Sequence, residues 1–142
     1  MGDITKHFSW WEFRSKDGAP TPESVKPNII RVARMLELLR SAVSDHVGRD
    51  CPLIILSGYR SPAHNTAVGG VPTSFHLKGL AADIVSRFAS PHTIQSLARS
   101  LQARGIIGGL GVYAGFTHVD LGPRRNWTEA TRTQKGGENF PS

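Results

Sequence analysis

Val32, Met35, Leu36, Leu39, Val43 and Val47 recur mostly at spacings of three and four. That spacing collects them on one helical face and predicts a long helix from about Ser24 to Val47. Arg31, Arg34, Glu37 and Arg40 mostly fall outside the stripe and are expected in solvent. Pro27 suits the first turn, and Gly48 is the expected stop. Upstream, Ser9 and Glu12 have capping-box spacing among Phe8, Trp10, Trp11 and Phe13, which predicts a short helix docked on the core.

Beyond Gly48 the pattern changes. Leu53-Ile54-Ile55-Leu56 is short, apolar and partly β-branched, and predicts a buried strand. Ser61-Pro62 and Ser90-Pro91 are two N-cap and proline signals, each opening a helix. The first ends near Gly69-Gly70. The second carries Ile94, Leu97, Ala98 and Leu101 and ends at Gly105. Val71 to Lys78 is expected to be loop and Gly79 to Val85 a strand. Leu110 to Tyr113 and Phe116 to Leu121 predict a hairpin turning at Ala114-Gly115. From about Thr128 the chain turns polar, and a loosely held tail is expected over 128–142. Together these elements predict an α+β fold: a small, largely antiparallel sheet with flanking helices.

Composition narrows the reading. The 142 residues suit one domain, assigned to 1–127 with the tail beyond it. With 17 Lys and Arg against 11 Asp and Glu, the formal net charge is +6, which favours an anionic partner such as nucleic acid, a membrane surface or an acidic polymer. One cysteine, Cys51, excludes an internal disulfide and cysteine-rich zinc motifs. No apolar run is long enough for a transmembrane helix. No apolar segment follows Met1 to Lys6, so no signal peptide is read there.

The candidate chemistry lies near strand ends. Asp83 sits inside Leu80-Ala81-Ala82-Asp83-Ile84-Val85, where a carboxylate needs a cation, a donor or a metal. His118 and Asp120 are two apart on a predicted strand and share a face. His76 stands at a strand mouth, in a loop with Ser74. Two imidazoles and one carboxylate suit zinc with a fourth position left for water. Taken alone, Asp83 also fits a plain pairing with an arginine, and His7, His46, His64 and His92 read as structural.

Ser-x-His-x-x-Gly-x-Ala-x-Asp from Ser74 to Asp83, followed by His118-x-Asp120, resembles the zinc D-Ala-D-Ala carboxypeptidase and peptidoglycan endopeptidase family. The short single-domain branch found in phages and bacteria is the most similar. Ile4 to Phe13, Ser57 to Pro62, Asn65, Val68 to Gly70, Gly111 to Tyr113 and Phe116 to Trp127 agree in the same order. The resemblance implies a hedgehog-like, D-Ala-D-Ala-peptidase-like fold and Zn²⁺ held by His76, Asp83 and His118. It implies that Arg60 holds a substrate carbonyl or carboxylate; a structural salt bridge is the alternative. Ser74 either orients His76 and its loop or only forms the turn. Tyr113 either donates to a tetrahedral intermediate or only packs.

Many members of the family carry a Glu a few residues before the last histidine ligand. Here that stretch is Tyr113 to Thr117, with no carboxylate. Asp120 is therefore assigned one of two roles: general base, or partner that orients a ligand imidazole.

The function so implied is hydrolysis of peptidoglycan stem peptides or cross-links by a monomer. A phage endolysin, released by a holin or carried on a virion, reconciles a wall substrate with the missing signal peptide. The rival reading is a non-catalytic zinc or wall-binding module on the same scaffold. Nucleic acid is not expected as a partner, because the basic residues are spread along the chain apart from Arg124-Arg125.

Overall fold

The computed structural model describes residues 2–134. Its elements are the 3-10 turns Trp10–Phe13 and Glu23–Val25, helix α1 (Lys26–Val47), strand β1 (Leu53–Ser57), helix α2 (Pro62–Ala67) and a third 3-10 turn, Phe75–Lys78. There follow β2 (Ala81–Ser86), α3 (Pro91–Ala103), β3 (Gly109–Val112), β4 (Thr117–Asp120), β5 (Arg125–Thr128) and α4 (Glu129–Gln134). The five strands form one sheet in the order β1-β2-β4-β3-β5. Every pairing is antiparallel except β3 with β5. The fold is thus the expected α+β arrangement.

The α1 stripe is the largest contribution to the core. Val32, Met35, Leu36, Leu39 and Val43 are buried with Ile29, while Val47 is left partly exposed at the helix end. Glu37 is not freely solvated. It accepts the His7 backbone N–H at 2.7 Å and meets His7 Nδ1 at 2.6 Å, which ties the N-terminal segment to α1. Helix α3 adds Ile94, Ala98 and Leu101, and the sheet adds Leu53, Ile55, Ala82, Ile84, Leu110 and Val119, all in one cluster.

Because strand side chains alternate, the residues between these sheet positions point to the other face. Asp83, His118 and Asp120 are among them. A bulge adds Ser57 to that face. Ile55 opposes Ile84, but Ser57 opposes Asp83, so Leu56 is the extra residue and Ser57 turns away from the core.

Three differences from the sequence reading have physical causes. The β3–β4 connection is a four-residue loop, Tyr113 to Phe116, because pairing stops at Val112 and Thr117. The Tyr113 and Phe116 rings stack at 4.4 Å, and Gln95 Nε2 donates to both their carbonyls at 3.0 and 3.3 Å, replacing ladder bonds. The segment before β2 is not all loop, since Ser74 caps the turn Phe75–Lys78. Arg125–Thr128 forms β5 by pairing with β3, although its sequence has no apolar alternation. Helix α4 continues to Gln134, and residues 135–142 of the expected tail lie outside the described residues.

Candidate metal centre

One row of directly opposed residues crosses the sheet on the face away from α1 and α3: Ser57 on β1, Asp83 on β2, His118 on β4, Gly111 on β3 and Trp127 on β5. A second row runs Ala81, Asp120, Gly109 and Arg125. His76 joins the first row from the 3-10 turn before β2. Ser74 is buried and its Oγ accepts the His76 backbone N–H at 3.2 Å, so the turn that aims His76 is fixed by this cap. The Arg60 N–H donates to the His76 carbonyl at 3.0 Å, which joins that turn to the segment after β1.

His76, Asp83 and His118 are all buried, and one ligand atom from each lies within 4.8 Å of the others. His76 Nδ1 is 2.7 Å from the Gly58 carbonyl oxygen. A carbonyl only accepts, so Nδ1 carries the proton and Nε2 presents a lone pair. That Nε2 has no hydrogen-bond partner, yet it lies 3.3 Å from Asp83 Oδ1. Burial pushes the His76 imidazole below its ordinary pKa, against the pull of Asp83, so the neutral ring is favoured. A buried lone pair facing a carboxylate oxygen is an unfavourable arrangement that a cation between them would relieve.

His118 lies between two carboxylates. Its Nδ1 is 2.9 Å from Asp83 Oδ1, and its Nε2 is 2.7 Å from Asp120 Oδ2. Burial acts to lower its pKa, but the hydrogen bonds to Asp120 and Asp83 outweigh burial and raise it. For Asp83, burial acts upward, while His76 and His118 together hold the carboxyl well below the usual carboxylate range. With its Nε2 proton directed at Asp120, His118 turns Nδ1 toward Asp83 and His76, where it could serve a metal ion, an arrangement common at metal sites. Two imidazole nitrogens and a carboxylate, all buried and convergent, fit a metal ion with borderline-soft ligand preference.

Asp120 is fully buried and its oxygens are occupied. Oδ1 accepts from the Gly109 and Gly122 N–H groups at 3.0 and 2.9 Å and from Arg125 NH1 at 3.1 Å. Oδ2 receives His118 Nε2 and Arg125 NH2, both at 2.7 Å. Burial acts to raise its pKa, but His118 and then Arg125 hold it down to about 2. An ionised carboxylate with these partners is a weak proton acceptor.

Arg60 is also buried. Its Nε donates to Ser57 Oγ at 3.1 Å, NH1 to Asn65 Oδ1 at 3.2 Å and NH2 to Asp83 Oδ2 at 3.4 Å. It therefore stands beside the cluster and in an ion pair with it. The Tyr113 hydroxyl accepts from Trp127 Nε1 at 3.0 Å, and the Trp127 ring lies 5.0 Å from that of His118. Arg125, Trp127 and the Gly58 carbonyl join the site without any role implied by the motif. The alternation of Arg125 with Trp127, matching that of His118 with Asp120, was the available signal.

The pattern defining the Peptidase M15 family matches residues 6–120. The chain belongs to that family. Over 88 residues it is 34% identical to the peptidoglycan L,D-endopeptidase MepK of Escherichia coli (strain K12), a stretch covering 57% of this chain and 46% of that protein. Over 86 residues it is 34% identical to the probable peptidoglycan L,D-endopeptidase MepK of Haemophilus influenzae, covering 56% of this chain and 44% of that protein. The matched stretch thus spans less than half the length of these curated relatives.

Proposed function

We propose that this chain is a zinc-dependent peptidase that cuts peptide bonds of bacterial peptidoglycan as a phage endolysin or a related cell-wall hydrolase. The observation that carries the reading is the partnerless lone pair of His76 Nε2, aimed at Asp83 beside His118 in a buried cluster. His76, Asp83 and His118 would hold the zinc. When bound, zinc supplies a Lewis acid that lowers the pKa of a water and polarises a carbonyl. Arg60 is the cation beside the cluster, and its guanidinium would balance charge developing on a substrate oxygen. Asp120 orients His118 in this reading, since its lone pairs are already directed at five donors.

The names of the relatives favour an endopeptidase over a carboxypeptidase. The charge of +6 favours an anionic wall polymer. Among the described residues no helix is long and apolar enough to cross a membrane. Release through a holin, or carriage on a virion, is part of the same proposal.

One observation favours the second reading, a non-catalytic wall-binding module: the acid nearest the ligands in sequence is fully engaged. Digestion of purified peptidoglycan separates the two. Mass spectrometry of the fragments, with and without a chelator, would show new peptide termini that vanish on metal removal. Intact peptidoglycan after incubation with the zinc-loaded chain would overturn the peptidase reading and leave the binding module.

A further inference from the structure

We infer that Arg125 and Trp127 of β5 are positioning residues for the ligand imidazole of His118, reaching it across β3 because Gly109 and Gly111 leave the way clear. The inference rests on the reading of His76, Asp83 and His118 as metal ligands.

Strand β5 does not pair with β4; β3 lies between them. Two strand spacings separate their backbones, roughly 9–10 Å. A side chain on the intervening strand ordinarily fills that gap. Here the opposed positions on β3 are Gly111, between His118 and Trp127, and Gly109, between Asp120 and Arg125. A Cβ on Gly111 would lie 2.7 Å from Trp127 Cε2 and Nε1. One on Gly109 would collide with Asp120 Oδ2 and lie 2.7 Å from Arg125 NH1. These approaches are too short for a real side chain, so alanine at 111 displaces the Trp127 ring and alanine at 109 displaces the Asp120 carboxylate and the Arg125 guanidinium that grips it, or the strand itself.

The groups that pass over these glycines act on His118 from two sides. Arg125 grips Asp120 through both terminal nitrogens, NH1 to Oδ1 at 3.1 Å and NH2 to Oδ2 at 2.7 Å. This fork fixes the plane of the carboxylate that receives His118 Nε2. Trp127 sets its ring 5.0 Å from the imidazole, tilted by 49°. Its own rotation is fixed by the hydrogen bond from Nε1 to the Tyr113 hydroxyl. Arg125 also lies over the Phe75 ring at 4.7 Å, and Phe75 precedes His76 in the chain. One guanidinium thus touches the supports of both ligand histidines.

The test uses the full chain and metal alone. Zn²⁺ affinity is measured by competition with a chromophoric chelator, and ligand geometry by the visible absorption of the Co²⁺-loaded protein. Arg125→Met should weaken Zn²⁺ binding by up to about 10-fold, the low end of the range for lost partners of a ligand, because Arg125 acts through Asp120. Arg125→Lys should recover only part of it, because a point charge cannot replace the fork. Trp127→Phe and Gly111→Ala should shift the Co²⁺ bands. Thermal unfolding of the metal-free variants identifies folded protein, and Trp127→Phe serves where Gly111→Ala does not fold. If folded Arg125→Met and Trp127→Phe match the wild type in affinity and Co²⁺ spectrum, the inference is overturned and the metal centre stands. If the wild-type chain binds neither Zn²⁺ nor Co²⁺, the metal centre falls and the inference with it.

Discussion

On the helix-packed face of the sheet, Ile55, Ile84, Ala82, Val119 and Leu110 share one apolar cluster with α1 and α3. On the opposite face the same strands carry Ser57, Asp83, His118 and Asp120, with glycines at 109 and 111. The first face is stabilised by area and volume, which many apolar side chains can supply. The second depends on directed contacts, where each donor has a particular acceptor and where missing side chains matter as much as present ones. The contrast teaches that one strand can be tolerant on alternate residues and exacting on those between.

The most severe way to test this contrast is Asp83→Asn. It keeps the side-chain volume but removes the proposed carboxylate ligand, which is also the partner of Arg60. Zinc retention, measured on the purified protein by elemental mass spectrometry, should fall to background, and peptidoglycan cleavage with it. Retained zinc would break the assignment of the polar face. On the other face, Leu39→Ala should cost about 2–5 kcal/mol in denaturant unfolding, from lost burial and a cavity. The zinc affinity of its folded fraction should stay unchanged.

Asp120→Asn should lower zinc affinity about 10–100-fold, because the amide holds His118 less firmly than a carboxylate gripped by Arg125. A calorimetric titration giving wild-type affinity would remove Asp120 from the site. Acid sharpens the same point. In the metal-free chain Asp120 sits at about 2, below its ordinary 3.8, so its contribution to stability is present above 3.8 and is lost as the pH falls through about 2. Unfolding free energy measured against pH should show that loss in the wild type and lack it in Asp120→Asn. The smallest effect is expected at Ile54, which is exposed on edge strand β1. Ile54→Thr should change stability by no more than about 0.5 kcal/mol in the same unfolding measurement.

The helices were legible because their signals are local. The α1 stripe, the Ser61-Pro62 and Ser90-Pro91 starts and the Gly48 stop each depend on residues within a turn or two. The α1 start lies two residues beyond the expected Ser24, since Glu23–Val25 forms a separate 3-10 turn before Lys26. Strand β5 was not legible. Arg125, Asn126, Trp127 and Thr128 show no apolar alternation, and only pairing with β3 makes them a strand. The four-residue β3–β4 loop was hidden for a similar reason: Gln95, far off in the chain, takes the carbonyls of Tyr113 and Phe116.

For the site, the spacing of His118 and Asp120 told that they share a face, because strand alternation is a property of the chain alone. It did not choose between the two roles open to Asp120. Five donor groups surround that carboxylate, and four of them, the Gly109 and Gly122 N–H groups and both terminal nitrogens of Arg125, come from outside the motif. The sequence by itself determined the residue types, their faces and the helices that carry the core. The tertiary structure alone decided register: Asp83 opposite His118, Gly111 between His118 and Trp127, and a bulge that turns Ser57 toward Arg60. Register depends on pairings between distant segments, and no local spacing contains it.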